Sequence, residues 1–353
     1  MRTKDRPMKV TFILERHAHH AEHFAYYRLV DALGDSVICR TKTYDTPRAP
    51  VRWCNGRLAR VSGLSHYTVF NLWQELKAAA SIACLPPRIY HFVHGDDSYR
   101  YLGFMNGVRG SKVTATFHQI PSFYDAHAGW KSYLKRLSAL HLVARNQVPY
   151  FARFVPRERI HLIPHAIDAD FFSPGSGEEK RGDTCIFVGQ WYRDFELMRE
   201  VISTLNGELP EARFVVVTFP GLFDRFRGLR NVTLLHGLSD EKLCALYRAS
   251  DLLLLPLRDC TFNNAVLEAM ACGIPVVSND VGGIRDYADD ACAALVPREG
   301  GARAMASAVR RLLGDAGLRS GMGARGRERA LGYHWSVIAP RMREMFDVAG
   351  RER

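Results

Sequence analysis

The stretch Asp251–Tyr287, DLLLLPLRDCTFNNAVLEAMACGIPVVSNDVGGIRDY, constrains the fold more than any other part of the chain. Leu252 to Leu255 form an apolar run closed by Pro256, which reads as a buried strand of a parallel sheet. A polar loop, Arg258 to Asn264, follows. Ala265 to Ala271 then reads as a helix, with Gly273 at its end and Pro275 beyond. Val276 and Val277 open the next strand, and Gly282–Gly283 the next turn. The loop lies where a strand's carboxyl end meets a helix N-terminus, the usual place for an anionic ligand in an α/β sheet. Asn263 and Asn264 suit that junction, because asparagine caps helix starts and leaves the first backbone N–H groups aimed at whatever the loop holds. Glu268 follows about one turn further in, where a carboxylate can accept hydrogen bonds from vicinal hydroxyls. A diphosphate at the helix start with a ribose one turn along is a nucleotide-sugar arrangement. A buried helix with Glu268 at its solvent edge meets the same periodicity.

Length and charge narrow the setting. At 353 residues the chain is long enough for two domains, and 47% hydrophobic with 24% charged residues is ordinary globular composition. No apolar run reaches the ~20 residues of a membrane helix. The opening MRTKDRPMKVTFIL reads as a first strand, Lys9 to Leu14, and not as a signal peptide. The expected setting is therefore cytoplasmic, with the inner face of the membrane as a peripheral site. The eight cysteines (39, 54, 84, 185, 244, 260, 272, 292) contain no Cys-x-x-Cys pair, so buried reduced thiols are expected and a zinc or disulfide framework is not. A net charge of +11 favours an anionic partner. The charge is densest at Arg48–Arg60, Lys131–Arg136, Arg153–Arg159 and Arg341–Arg353. No module of interleaved aromatic and basic residues stands out, so phosphates or anionic lipid are expected before nucleic acid.

Further strands read at Ser36–Arg40, Ile89–Gly95 (strand and turn), Val113–His118, Ile160–Pro164, Cys185–Val188, Arg213–Thr218 and Val232–Gly237. Thr43–Leu58, with Pro47, Pro50 and several arginines, reads as a loop. Leu72 to Ala83 reads as a helix, and Lys131 to Leu142 as an amphipathic basic helix suited to the core or to a membrane surface. The turn after the first strand is histidine-rich; His19 and His23 are four apart, and a metal or a polar acceptor-facing turn both fit. Asp168-Ala169-Asp170 has D-x-D form but sits in linker context. Ser173 to Asp183 is the best domain boundary.

The segment FNNAVLEAMACGIPVVSNDVGG resembles the nucleotide-sugar signature of the family 4 retaining glycosyltransferases. Their usual form is a Glu, seven residues, a second Glu, Ala-x-Ala-x-Gly-x-Pro-Val-Val and a Gly-Gly turn. Here the second Glu is Glu268, and Ala269, Ala271, Gly273 and Pro275 keep the pattern. The first Glu falls on Cys260. The resemblance implies an α/β GT-B fold, two Rossmann-like doubly wound domains facing each other across a cleft. The division implied is an acceptor-binding domain over 1–170, a linker over 171–183, a nucleotide-sugar-binding domain over 184–334 and a helix over 335–353 crossing back. It further implies a retaining hexosyltransferase that needs no essential metal or cofactor. Such an enzyme moves a sugar from a nucleotide sugar to a saccharide or lipid-linked acceptor in surface polysaccharide or glycolipid assembly.

Carried over by position, the donor loop is Gly189, Gln190 and Arg193. Gln190 stands where the family has arginine, so Arg193 is the remaining cation, with Arg258 a second in reach. His236 and Leu238 fall in the base-binding loop. Phe262, Asn263, Asn264, Ala265 and Glu268 fall at the diphosphate and ribose. His118 falls on the donor side of the reacting centre, and Arg16, His17, His94 and Asp96 face the acceptor. For the missing glutamate three readings stay open: Cys260 as a substitution with backbone recognition of the sugar, Asp259 supplying the carboxylate, or a protein that binds a nucleotide sugar without transferring it. A scaffold, another GT-B enzyme such as a nucleotide-sugar epimerase, and last a basic nucleic-acid binder are the alternatives.

Overall fold

In a computed structural model of the chain, the strands fall into two parallel sheets. The structure describes residues 7–17, 23, 25–42, 49–64, 66–126, 131–176 and 182–351. The first sheet contains β1 (Lys9–His17), β2 (Ser36–Lys42), β3 (Arg88–Phe92), β4 (Lys112–Phe117), β5 (Ala139–Leu142) and β6 (Ile160–Leu162), in the order β2-β1-β3-β4-β5-β6. The second contains β7 (Thr184–Val188), β8 (Arg213–Val217), β9 (Val232–Leu235), β10 (Leu252–Leu255), β11 (Val276–Asn279) and β12 (Ala293–Val296), in the order β12-β11-β10-β7-β8-β9. Counted from β7, the second sheet has the doubly wound 3-2-1-4-5-6 order, and its direction of winding reverses between β7 and β10. Leu252 to Leu255 are all fully buried, as a central parallel strand covered on both faces requires.

The chain divides into two compact units. One comprises residues 1–20, 26–164 and 336–353, and the other 21–25 and 165–335. Each is an α/β Rossmann-like domain. Residues after Pro164 belong to the second unit because arginines pin them there. Arg327 Nη1 donates to the carbonyls of Ala169 (2.8 Å) and Phe172 (2.9 Å), and Arg248 Nε donates to that of Ser173 (2.8 Å). The expected linker over 171–183 thus begins as part of this unit. The final helix, Trp335–Arg351, packs on the first unit. The Phe346 ring lies 5.9 Å from Phe12 and 5.1 Å from His91, and Arg343 Nη2 donates to Leu33 O at 2.9 Å.

Two expected elements take another form. Ala49–Ser62 is a helix where Thr43–Leu58 reads as a loop; residues 43–48 lie outside the description. Pro50 falls in the first turn, where its missing N–H costs nothing, and Arg, Leu and Ala carry the helix on. Lys131–Leu142 is not one amphipathic helix. Lys131–Leu134 forms a single turn, and Ala139–Leu142 is β5, buried throughout. Its leucines line the core and not a membrane-facing stripe. Among the described residues no helix is long and apolar enough to cross a membrane.

Candidate functional site

The switch point of the second sheet is closed by two loops that hold each other. After β7 the chain turns at Gly189 (φ +96°) and runs through Gln190 to Asp194; after β10 it runs from Pro256 to Asn263. Arg193 and Leu257 form an antiparallel bridge, Asp194 N donates to Pro256 O, and Arg258 N donates to Tyr192 O, both at 2.9 Å. Asp194 then caps the helix Phe195–Glu208 by accepting from Leu197 N.

Arg193 lies across Gly189. Its Nε and Nη2 donate to Val188 O at 3.1 and 2.9 Å, its Nη1 to Trp191 O at 2.9 Å, and its Nη2 approaches Asn263 Oδ1 at 3.4 Å. A Cβ on residue 189 would stand 2.7 Å from Nη2, so only glycine leaves room for the guanidinium. Burial pulls the Arg193 pKa below its ordinary value, yet an arginine stays charged in any protein setting. Its bonded partners are neutral oxygens. The outcome is a half-buried cation at a strand end with no carboxylate in ion-pair range among the described residues, the electrostatic form of an anion site.

Asn263 connects this cation to the helix Asn264–Ala271. Its Oδ1 accepts from Ala265 N at 3.1 Å while facing Arg193. Cation and helix start therefore share one side chain. One turn on, Glu268 Oε2 accepts from Tyr247 OH at 2.8 Å. Burial pushes the Glu268 carboxyl up to about 7, against the pull of Tyr247 and Arg193. Among the described residues its Oε1 has no hydrogen-bond partner. Tyr247, in the helix Asp240–Ala249, is 21 residues from Glu268, and no pattern in the sequence connects them.

The other donor-side residues divide by environment. Gln190 is exposed beside Gly189, and Ala265 is buried, its N–H bonded to Asn263. His236 and Leu238 flank Gly237 (φ +61°) beyond the end of β9, with the His236 ring 6.0 Å from Phe223. Phe262 is a core residue. Its ring lies 4.2 Å from Tyr287 and 5.5 Å from Tyr333, so its side chain packs the helix onto the unit instead of facing a ligand. Arg258 is over half exposed and shares Asp194 with Arg298, at 3.6 and 3.7 Å. Arg298 is a rim cation that sequence reasoning missed, since it comes from the turn after β12.

The position of the absent glutamate holds a packing group. Burial raises the Cys260 thiol to about 11, and its Sγ donates to Val281 O at 3.4 Å. A neutral thiol in that surrounding is no nucleophile. Asp259 Oδ1 accepts from Cys260 N at 2.7 Å and lies where a Cβ on Gly282 would fall. One of its oxygens is therefore committed to the Cys260 N–H, and it leaves room at position 282 for glycine only.

In the first unit, His94, Asp96 and His118 meet at the carboxyl edge of the sheet, with the rings of His94 and His118 5.4 Å apart. Asp96 does not face an acceptor. It is buried, and its carboxylate accepts from His118 N (2.9 Å), Gln119 N (3.4 Å) and the Tyr124 hydroxyl. Burial raises its pKa to about 6. Asp96 thus holds the loop that carries His118. His118 Nε2 donates to Val93 O at 2.7 Å, and burial lowers the ring to about 4, so it is neutral with Nδ1 as acceptor.

The backbone of Arg16 and His17 closes β1, but their side chains and all of His19 lie outside the description. His23 Nδ1 bonds Asp168 Oδ2 at 2.9 Å, and its ring stacks on Phe171 at 3.5 Å. Asp168, Asp170 and His334 each bring one ligand atom within 4.8 Å of the others, which is the chain's candidate cation-holding group among the described residues. Asp170 is exposed, and exposed acids gather this way without an ion.

The model of the family described as Glycosyl transferases group 1 matches residues 182–315. A D-inositol 3-phosphate glycosyltransferase of Kineococcus radiotolerans is 38% identical over 231 residues, covering 55% of this chain and 53% of that protein. A phosphatidyl-myo-inositol mannosyltransferase of Propionibacterium freudenreichii is 30% identical over 171 residues, covering 47% and 43%. The chain spans about half the length of the curated relatives it matches. Among solved structures, sucrose-phosphate synthase from Thermosynechococcus elongatus superposes with a TM-score of 0.73 at 18% identity, covering 96% of this chain and 98% of that one. Anabaena HepE in complex with UDP and glucose gives 0.67 at 13% identity, with the same coverages. The fold is GT-B, and the residues around Arg193, Asn263 and Glu268 lie in the part of the chain that matches the group 1 glycosyl transferases.

Proposed function

We propose that the protein is a retaining glycosyltransferase that moves a sugar from a nucleotide sugar to a saccharide or lipid-linked saccharide acceptor. The observation that carries this is Arg193, a cation laid over Gly189 by neutral oxygens and shared through Asn263 with a helix start. In this reading the donor diphosphate lies across the guanidinium and the first N–H groups of the helix Asn264–Ala271. The ribose hydroxyls reach Glu268, whose Oε2 is oriented by Tyr247. As the bond from the anomeric carbon to the diphosphate oxygen breaks, the diphosphate gains charge; the acceptor hydroxyl oxygen bonds to that carbon and its proton passes to the departing diphosphate oxygen. Arg193 and the helix dipole stabilise that charge where it develops. The reading assigns this work to protein groups, so chelation of divalent metal is expected to leave turnover unchanged. His118, neutral and with its loop held by Asp96, offers Nδ1 as an acceptor at the carboxyl edge of the first sheet. The HepE structures with UDP and UDP-glucose put UDP-sugars first on a donor panel. The relatives' names put inositol phosphates and phosphatidylinositol first on an acceptor panel.

A second reading, binding without transfer, is favoured by one observation. Cys260 stands with a neutral thiol where the family has a carboxylate, and one Asp259 oxygen is committed to Cys260 N. The test for both is thermal stabilisation by UDP-, GDP-, ADP- and dTDP-sugars, with Glu268→Ala alongside, followed by product detection with the donor that binds. A ligand at ~100 times its dissociation constant adds ~2.7 kcal/mol. A shift with one donor class that disappears in Glu268→Ala supports the site; no shift with any sugar nucleotide or free nucleotide overturns it. Binding without product supports the second reading.

A further inference from the structure

We propose that the helices Ala49–Ser62 and Val69–Cys84 form a face that seats the first unit on an anionic lipid bilayer. The two helices are adjacent, with Val69 N donating to Asn55 Oδ1 at 2.9 Å. The second buries Asn71, Gln74, Ala78 and Ile82 inward. Outward, both carry large apolar side chains in water: Trp53 is 62% exposed, Val61 76%, Trp73 57% and Leu76 52%. These residues are not scattered. Trp53, Arg57, Arg60 and Val61 follow one another at helical spacing, as do Trp73, Leu76 and Lys77. The Arg57 guanidinium lies 4.6 Å from the centre of the Trp53 ring, and the Lys77 ammonium 5.6 Å from that of Trp73.

Charge identifies the occupant. Over residues 46–95 the sole carboxylate is Glu75. It is buried, accepting from Tyr67 OH and from the N–H groups of Arg100, Tyr101 and Leu102. The exposed side of both helices therefore carries Arg52, Arg57, Arg60 and Lys77 with no exposed acid to balance them. An indole ring with a cation beside it matches the interface of a bilayer, where the ring enters the headgroup layer and the cation meets phosphate. A nucleic-acid backbone would satisfy the cations and leave Val61 and Leu76 in water. The inference stands on the first unit's surface alone and is independent of the donor reading.

The experiment is co-sedimentation of the full chain with phosphatidylcholine vesicles, with and without phosphatidylglycerol, in the absence of any nucleotide sugar. Binding is expected only with phosphatidylglycerol and is expected to weaken with salt. Arg57→Gln with Lys77→Gln should lower partitioning about 25-fold, about fivefold per charge. Trp53→Ser with Trp73→Ser should lower it by about tenfold or more, since each ring leaves apolar surroundings. All four residues are exposed, so an unchanged melting temperature is the folding control, and the two pairs test the face separately. Equal binding to neutral vesicles, no binding to either, or partitioning untouched by the tryptophan pair would overturn the proposal. So would a single-stranded oligonucleotide that binds as tightly as the anionic vesicles and keeps its affinity in the tryptophan variant. Because no donor is present, failure here leaves the nucleotide-sugar site standing, and the converse.

Discussion

Gly189→Ala is the most direct probe of the switch-point site. Residue 189 has φ +96°, where a side chain costs about 1–3 kcal/mol in backbone strain. The added Cβ would also meet Arg193 Nη2 at 2.7 Å. The guanidinium is the flexible partner and must move, forfeiting its two bonds to Val188 O and its approach to Asn263. Hydrogen bonds made by charged groups contribute about 1.5–3 kcal/mol. Together these give a destabilisation of about 2.5–6 kcal/mol, or a melting decrease of roughly 5–24 °C for a domain of this size. A double-mutant cycle separates the two parts. In Gly189→Ala/Arg193→Ala there is no clash, and the backbone strain adds to bonds already lost with the arginine, so the two single effects should exceed the double by about 1.5–3 kcal/mol. The assay is scanning calorimetry of the four proteins, with donor binding measured on each. Strict additivity, or a Gly189→Ala protein as stable as its parent, would refute the claim that the glycine exists to seat the arginine.

Other outcomes follow from the titrating groups. Glu268 titrates at about 7 in the folded protein, so its hydroxyl-accepting ionised form grows as pH rises; donor affinity should increase by up to about tenfold between about pH 6 and 8 and stay flat in Glu268→Gln. Asp96 holds its proton more tightly folded than unfolded, so it costs stability as pH rises from about 4 to 6. Asp96→Asn should gain on the parent by up to about 3 kcal/mol across that window, measured by urea unfolding at each pH. His118 has the opposite sign, and its ring should stay neutral in nitrogen NMR down to about pH 5, with the proton on Nε2. Cys260, buried with a thiol raised to about 11, should resist alkylation of the native protein at neutral pH while exposed Cys39 and Cys84 react, as peptide mapping would show.

The strand-loop-helix-strand around β10 was legible because it is local. An apolar run, a capping asparagine and a glycine stop each act within a few residues. Arg193 was legible as a cation but not as one lying across Gly189, since the need for glycine appears only once the side chain is placed. Asp96 looked like a surface acid after a strand; its commitment to Tyr124, 28 residues along, is a tertiary fact. The leucines of 134–142 fit a helix period and also a short turn followed by a buried strand, and such runs are ambiguous by periodicity alone. Reading 43–58 as a loop had a further effect. The alternation of Trp53, Arg57 and Arg60 along one side exists only at helical spacing, so a segment read as a loop shows no aromatic and basic residues set together.

The final helix carries a consequence for how the polypeptide is made. Phe346 closes against Phe12 and His91, so the first unit completes its core only after the ribosome has synthesised the whole second unit. The second unit is, in effect, an insertion whose two ends run side by side: Ile167 bridges His334, and Trp335 N donates to Ile167 O at 3.1 Å. A fragment ending at residue 164 would leave the β1 and β3 face uncovered, however intact its own strands. Joining residue 164 to residue 336 through a short linker restores the missing helix and is the route to the first unit as a free-standing domain.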